Sequence, residues 1–161
     1  MSYAIFIKME GIEGESTDAR HKDEIDVLSW SWGVTLPSSA PVGGGGGAGK
    51  AAPADLKFSH RIDFASPSLI KACASGRHIR EAVVSVQKAG ADPRAAPDPF
   101  LTIKLRDVLV KSVEPGVSTL ENSATETVGL AFSKIEFEYR QEMKPGVVNK
   151  VFWDVAANKV S

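Results

Sequence analysis

Apolar and polar residues alternate along most of this chain, and a period of two is typical of β-strands that bury one face. Seven runs fit the pattern, and they cover residues 3–9, 25–36, 56–62, 79–88, 100–113, 125–140 and 151–157. In the third run, Phe58 and His60 share the apolar face, whereas Lys57 and Ser59 point to the opposite face. The pattern therefore predicts a protein that is mainly β.

Two of these runs are too long to keep one phase. The apolar residues Val128 and Leu130 stand at even-numbered positions, whereas the apolar Ile135 stands at an odd-numbered position. The phase changes near residues 133–134, and a similar change falls near Asp107 in the preceding run. Such changes indicate a β-bulge or a strand that passes between two packed sheets. Long strands of this kind fit a small β-barrel or an orthogonal sandwich of two packed antiparallel sheets better than a flat open sheet.

The pattern also predicts one short α-helix beside the barrel. Ser66 is a suitable N-cap, and Pro67 follows it at the first helical position. Gly76 can adopt the left-handed conformation that commonly follows the last turn of a helix. The predicted helix therefore lies between Ser66 and Gly76.

The segment Pro37–Pro53 differs in composition from the rest of the chain. It holds the glycines Gly43–Gly47 and Gly49 together with three prolines, and this composition favours neither a helix nor a strand. The sequence therefore predicts a long Gly-rich loop, and a loop of this length in a compact domain usually has a function. Shorter turn-type connections are predicted for residues 90–99 and 114–124.

Composition and charge limit the class of protein. The 161 residues contain 19 Lys and Arg against 20 Asp and Glu, a formal net charge of −1, so we expect no general binding to nucleic acid. Hydrophobic residues make up 43% of the chain, enough for one domain over residues 1–161. No apolar run approaches the roughly 20 residues of a membrane-spanning helix, so we expect no membrane insertion. The N-terminal residues lack the features of a signal peptide, which predicts synthesis in the cytoplasm.

The second run has two faces of different character. Leu28, Trp30 and Trp32 share an apolar face that we expect to be buried in the core. Alternation then places Ser29 and Ser31 on the opposite face, which is small and uncharged. A face of this kind suits contact with water or with another protein.

Candidate catalytic and metal-binding patterns are weak. The segment 44–50, GGGGAGK, matches part of a phosphate-binding loop, and a small phosphate-binding hydrolase is the alternative function that it suggests. However, Ala51 stands where such loops carry the hydroxyl that binds Mg²⁺, and no helix start follows. We expect His60 to lie in the core and His21 and His78 to lie in solvated loops. The sequence thus predicts no cofactor, no metal site and no catalytic residue.

In five segments the sequence resembles the haemolysin-coregulated protein (Hcp) family, the tube subunit of the bacterial type VI secretion system. These segments are FIKMEGIEGEST (6–17), DEIDVLSWSWG (23–33), GGGGGAGK (43–50), IDFASPSLIKACASGRH (62–78) and QKAG (87–90). They follow one another in the family's order with similar gaps. The region from Asp92 to the C-terminus matches mainly in its strand pattern.

The resemblance implies a structural protein rather than an enzyme, with a β-barrel and a flanking helix assembled as a homohexameric ring. Rings are expected to stack into a tube, with a spike protein at its tip and a contractile sheath around it. The channel is expected to carry and chaperone small effector proteins. Such a chain is made in the cytoplasm and then secreted through the type VI apparatus without a signal peptide.

The resemblance also implies roles for single residues. Ser29 and Ser31 are expected on the channel wall, with Ser31 implicated in holding effector proteins. We further expect the Gly-rich loop to support the stacking of rings, because contact with a neighbour would offset the entropy lost when the loop is ordered. The loop residues concerned are Gly43, Gly44, Gly45, Gly46, Gly47, Gly49 and Lys50.

Overall fold

The structure of the protein, a computed structural model, describes residues 2–37, 50–89, 98–144 and 146–161. Within this part of the chain, the strands are β1 (Tyr3–Met9), β2 (Ile25–Ser31), β3 (Val34–Thr35), β4 (Ala52–Pro53), β5 (Leu56–Arg61), β6 (Ile79–Lys88), β7 (Leu101–Ser118), β8 (Ser123–Ala131), β9 (Lys134–Arg140), β10 (Val148–Asp154) and β11 (Lys159–Val160). The helix α1 spans Ala65–Ser75. The prediction of a mainly β protein with one flanking helix is confirmed.

Six of the strands form a closed barrel. Their order is β7-β6-β1-β2-β5-β8, and the pairing of β8 with the second half of β7 closes the sheet. β9 pairs with the first half of β7, and the sheet continues outward through β10 to β11. Every one of these pairings is antiparallel, and β3 and β4 form a separate two-stranded ribbon. The predicted small antiparallel β-barrel is therefore confirmed.

Apolar side chains from all six barrel strands fill the interior. The fully buried ones lie at alternate positions, as the period-two pattern requires, and the largest are Phe58, Ile7, Ile25, Leu56, Ile79, Ile103, Leu105 and Leu130. Leu69 and Ala72 of α1 are buried in the same cluster. Removal of this apolar surface from water supplies the main driving force for folding.

Both predicted phase changes are present, and they face each other across one hairpin. In β7, Leu105 and Val108 are both buried, whereas Arg106 and Asp107 between them are exposed. Asp107 has a φ of 54°, a left-handed conformation that lets the strand change direction. The neighbouring run is divided into β8 and β9 just before this point, and the Ser133 N–H donates to the Arg106 carbonyl at 3.1 Å. The same register continues across this point as far as Val110, and a β-bulge between Val110 and Ser112 then shifts it by one residue. β7 and the β8–β9 segment therefore form one long, bent hairpin.

The prediction that Leu28 is buried is wrong. The pairing of β2 with β5 shifts between Val27 and Ser29, and Leu28 is the extra residue of this β-bulge. Its side chain is 46% exposed. The bulge switches the core-facing positions of β2 from odd-numbered residues before it to even-numbered residues after it. After the bulge, Trp30 pairs with Phe58 and packs half-buried against the core, as predicted.

Three other boundaries differ from the predictions. Val34 and Leu36 are exposed, because β2 ends before them and β3 belongs to the separate ribbon. The loop predicted for Pro37–Pro53 ends in a strand, since β4 pairs with β3. Strands β7 and β8 extend into the segment 114–124 that was predicted as a connection, and only residues 119–122 form the turn. In the last two cases, pairing with another strand satisfies backbone N–H and C=O groups in segments whose composition favours a turn.

The helix begins earlier than predicted, so Ser66 is not its N-cap. The Asp63 carboxylate accepts a hydrogen bond from the Ala65 N–H at 2.8 Å, and the Ser66 hydroxyl accepts one from the Asp63 N–H at 3.1 Å. This reciprocal arrangement satisfies backbone donors in the manner of a capping box. Pro67 lies in the first turn, and Gly76 ends the helix with a φ of 66°, as predicted.

Candidate functional site

The outer face of β2, β5 and β8 carries both serines that the sequence singled out. Ser29 pairs with Ser59, which pairs with Thr127, and the hydroxyl oxygens of Ser59 and Thr127 lie 3.2 Å apart. Ser31 pairs with Lys57 on the same face. Ser29 and Ser31 are exposed and point away from the core. Their placement outside the barrel interior agrees with the alternation on which the prediction rested.

A small residue keeps this face smooth where it meets β7. Gly129 pairs with Lys57 on one side and with Ser112 on the other. A Cβ at Gly129 would lie 2.6 Å from the Ser112 hydroxyl oxygen, so that hydroxyl occupies the space above the glycine. The resulting surface is rich in hydroxyl groups that can both donate and accept hydrogen bonds. We call it the polar wall and define it by Ser29, Ser31, Ser59, Ser112, Thr127 and Gly129.

Charged residues lie in and beside the polar wall, and the sequence of β2 alone could not show them. Lys57 is exposed beside Ser31, and Glu114 pairs with Thr127 from the side of β7. Arg61 and Thr125 pair at the far end of the same face. Lys57 therefore lies within the wall, between Ser31 of β2 and Gly129 of β8, whereas Glu114 and Arg61 lie at its margins.

A buried ion pair lies behind the polar wall. The His60 Nε2 and the Glu126 carboxylate are 2.8 Å apart, and both side chains are fully buried. Asp63, which caps α1, lies 3.6 Å from the other ring nitrogen of His60. Burial alone would lower the pKa of His60, but the two carboxylates outweigh it and raise this pKa above its ordinary value of 6.5. The prediction that His60 lies in the core is confirmed.

The Gly-rich loop falls largely outside the described residues. Gly43–Gly47 and Gly49 lie outside the described residues, whereas Lys50 is described and exposed. Two residues after Lys50 the chain enters strand β4 and not a helix. A phosphate-binding loop requires a helix N-terminus at this position, so the structure gives no support to the phosphate-binding alternative.

The prediction that His21 is solvated is wrong. Its ring is buried, stacks on Phe6 at a centroid distance of 4.3 Å, and lies 3.0 Å from the Gln87 side-chain oxygen and 3.1 Å from Glu24. These partners are distant in sequence, apart from Glu24, so local pattern could not reveal them. His78 is exposed, as predicted, and pairs with Asp107.

Among the residues that the structure describes, no group of three or more His, Cys, Asp or Glu side chains could hold a metal ion. Within the same ranges, no helix is long and apolar enough to cross a membrane.

Sequence reasoning missed an apolar groove beside the barrel. It has a volume of about 350 Å³ and lies between the start of the β3–β4 ribbon and the outward extension of the sheet. We call it the apolar groove, and it is lined by Trp32, Val34, Ala51, Ile135, Phe137, Val151, Trp153 and Val160. Its two sides come from segments about 100 residues apart, so only the folded chain brings them together.

Comparisons with known proteins point in one direction. The family model described as "Type VI secretion system effector, Hcp" matches residues 6–139. The curated Protein hcp1 of Pseudomonas aeruginosa strain PAO1 is 40% identical over 162 residues, which cover 98% of each chain. The crystal structure of Hcp1 from Salmonella typhimurium is similar over 100% of both chains, with a TM-score of 0.84 and 40% identity. A type VI secretion system effector from Yersinia pestis gives a TM-score of 0.75 and 36% identity, covering 93% of this chain and 98% of that one.

Proposed function

Because this chain belongs to the Hcp family of type VI secretion proteins, we propose that it is a tube subunit whose copies close into hexameric rings. The rings stack into a tube that is secreted and that carries effector proteins in its channel. The observation that carries this proposal is the polar wall, a broad outer sheet face of small hydroxyl side chains on a closed barrel. Such a face suits the lining of an aqueous channel better than it suits a tight, permanent interface.

Exposed apolar side chains elsewhere on the subunit support self-association. Among the described residues, Leu36, Leu120 and Val160 are at least 65% exposed. Single exposed apolar residues are ordinary, but those at the apolar groove are contiguous with a concave apolar surface. In a ring, each subunit would offer one surface to its neighbour and receive a different one, and this heterologous contact closes on itself.

The first test is the mass of the purified protein in solution. We expect multi-angle light scattering to give the mass of about six chains at micromolar concentration, and negative-stain images to show rings. Each subunit contact should bury about 800 Å² per partner, the usual size of a specific interface. A monomer at micromolar concentration would contradict the proposal.

In this assembly, the polar wall faces the channel and Ser29 and Ser31 contact the effector protein. Hydroxyl groups can both donate and accept hydrogen bonds, so their contacts with an effector are weak and adaptable. Six copies of the wall around one channel would raise the strength of weak contacts through avidity. Weak individual contacts also allow the effector to leave after delivery.

The Gly-rich loop is proposed to contact the next ring of the tube. The β3–β4 ribbon, from which the loop leaves and to which it returns, is separate from the barrel sheet. Gly43–Gly47 and Gly49 give the connecting segment a wide conformational range, and Lys50 is exposed at its end. A glycine-rich segment that connects the two strands of a separate ribbon is suited to contact a neighbouring ring.

The proposed partners are therefore other copies of this chain, a spike protein at the tip, a contractile sheath around the tube, and small effector proteins inside. Synthesis in the cytoplasm is followed by export through the secretion apparatus itself, without a signal peptide. The role is structural and requires no cofactor.

A further inference from the structure

Two apolar features of the subunit have no partner within the described part of the chain. One is the apolar groove, where Val34 and Val160 are exposed and which carries no charged lining residue. The other is the tip of the β7–β8 hairpin, where Leu120 is 98% exposed and Val117 is 74% exposed. Leu120 is the most exposed of the large apolar side chains that the structure describes.

The register of the strands places these two features at opposite ends of the polar wall. Ser31 pairs with Lys57, and the chain continues from Ser31 directly into Trp32 of the groove. At the other end, Arg61 pairs with Thr125, and the hairpin extends beyond this pair to its tip. A tip at one end and a groove at the other end of one sheet face form the two halves of a head-to-tail contact.

The charges at the two features are of opposite sign. From residue 112 to residue 133 the chain has no Lys or Arg, and Glu121 lies next to Leu120 at the tip. Lys50 is exposed next to Ala51, which lines the groove. Among the described residues, Lys50 pairs with no acidic side chain. An acidic apolar tip therefore matches an apolar groove with a basic residue beside it.

We infer that the apolar groove receives the β7–β8 hairpin tip of the neighbouring copy of this chain, with Leu120 as the anchor. The inference rests on the proposed function, because it assigns the contact that closes the ring. A protruding aliphatic side chain in a concave apolar site is the usual form of an energetically dominant contact. The neighbouring Glu121 then approaches Lys50 of the copy that supplies the groove, so Lys50, unlike the glycines of the loop, belongs to the contact within one ring and fixes its orientation.

The first experiment compares the mass of the wild-type protein with that of three single variants. Leu120→Glu at the tip and Val34→Glu in the groove should each shift the protein from the ring to monomers, an about sixfold fall in mass. Met143→Glu is the matched control, because Met143 is 89% exposed and belongs to neither feature, and it should keep the ring. Circular dichroism of each monomeric variant should show the wild-type β-sheet spectrum.

The second experiment uses the charges and a crosslink, so that the result does not depend on loss of assembly. Glu121→Lys and Lys50→Glu should each weaken the ring at low salt, and the double variant should restore it. Cys73 is the one cysteine of the sequence, so Cys73→Ala gives a background without thiols. In this background, Leu120→Cys with Val34→Cys should react with a short bis-maleimide reagent to give covalent species up to six chains.

The outcomes separate this contact from the ring itself. A hexameric wild type whose ring survives both Leu120→Glu and Val34→Glu would overturn the contact and leave the ring standing. Crosslinked ladders longer than six chains would overturn it as well, since they place the contact between rings. A monomeric wild type would overturn the ring and the contact together.

Discussion

The imidazole of His60 and the carboxylate of Glu126 form a buried polar contact directly behind the polar wall. They join β5 to β8, and Asp63 extends the cluster to the start of α1. A buried charge pair is costly to desolvate, and removal of one partner leaves the other uncompensated. The cluster therefore ties the geometry of the wall and of the helix start to the protonation of one histidine.

This cluster predicts that stability falls as the pH rises above about 6.5, the ordinary pKa of histidine. The pKa of His60 is raised in the folded state, so the stabilisation is complete below the unfolded value of about 6.5 and is lost as the pH rises through the folded value. Between these two pKa values, the free energy of unfolding should decrease by at most about 1.4 kcal/mol per pH unit. Urea unfolding at fixed protein concentration, from about pH 6 to about pH 9, measures this slope.

The exposed pair of His78 and Asp107 provides the matched control. Their side chains are 63% and 56% exposed, and the pKa of Asp107 is lowered, chiefly by its hydrogen bond to His78, so its own titration falls in the acid range. His78→Gln should therefore keep the wild-type slope, whereas His60→Gln should flatten it. A slope that persists in the His60 variant would show that another group is responsible.

Ser31 carries the prediction for effector binding. Ser31→Arg should keep the ring, because the side chain points away from the core and is exposed. It should reduce the retention of a small effector protein, because six long cations would crowd and charge the proposed channel wall. Co-purification of the effector with wild-type and variant rings measures retention, with the ring mass determined in parallel.

Ser75→Arg is a suitable control for this experiment, since Ser75 is exposed on α1 and outside the polar wall. Equal retention by the wild type and the Ser31 variant would place Ser31 outside the binding surface. Loss of the ring in the Ser31 variant would instead place Ser31 at a contact between subunits.

Single residues show how far local pattern reaches. The parity of β5 predicted that His60 faces the core, but its partner Glu126 is 66 residues away and has no signal near His60. The prediction for His21 failed for the same reason. Its neighbours in sequence are charged, but the folded chain covers its ring with Phe6 and Gln87. Local pattern assigns a face, whereas the partner on that face depends on the folded chain.

At the level of strands and turns, the long bent hairpin could be predicted and the bulge in β2 could not. The phase change at Asp107 is visible in the sequence of β7 itself. The alternating apolar residues stand at odd-numbered positions before Asp107 and at even-numbered positions after it, and both sets must be buried. The bulge at Leu28 exists only in the pairing of β2 with β5. An apolar residue there fits the alternation equally well with or without the bulge, so the sequence of β2 alone favoured the wrong face.

The connection between β1 and β2 depends on one glycine. A Cβ at Gly14 would lie 2.5 Å from the Glu24 carbonyl oxygen and 2.7 Å from the Ile25 Cα, so a side chain would have to displace backbone. Gly14→Ala should therefore lower the free energy of unfolding by about 1–3 kcal/mol, the usual cost of overpacking. Chemical denaturation at fixed protein concentration measures the change.

Gly33 offers a control of the same chemistry at a site with space. A Cβ at Gly33 would meet no atom within 4 Å, so Gly33→Ala should change the free energy of unfolding by less than about 1 kcal/mol. The substitution can raise this free energy, because alanine restricts the unfolded chain more than glycine does. Equal destabilisation by both substitutions would contradict the steric explanation for Gly14.

For the whole molecule, the arrangement of surfaces matters more than any single contact. The polar wall lies on one outer face of the barrel, with the apolar groove at one end of the wall and the hairpin tip at the other. In the proposed ring, head-to-tail contacts would repeat this arrangement around an axis and leave the walls facing inward. The β3–β4 ribbon is separate from the barrel sheet, so the Gly-rich loop would be available for contacts along the axis.

The loop prediction follows from this division of contacts. Deletion of Gly43–Gly47 should leave the mass of the isolated ring unchanged, because the barrel and its sheet extension contain none of these residues. It should reduce both the length of tubes in electron micrographs and the amount of protein secreted, because each ring would lose a contact with the next. Replacement of Gly43–Gly47 by five serines keeps the number of residues between β3 and β4, so this control should stay close to the wild type. Wild-type tube length after the deletion would remove the loop from ring stacking. Dissociation of the rings would instead assign the loop to the contact between subunits of one ring.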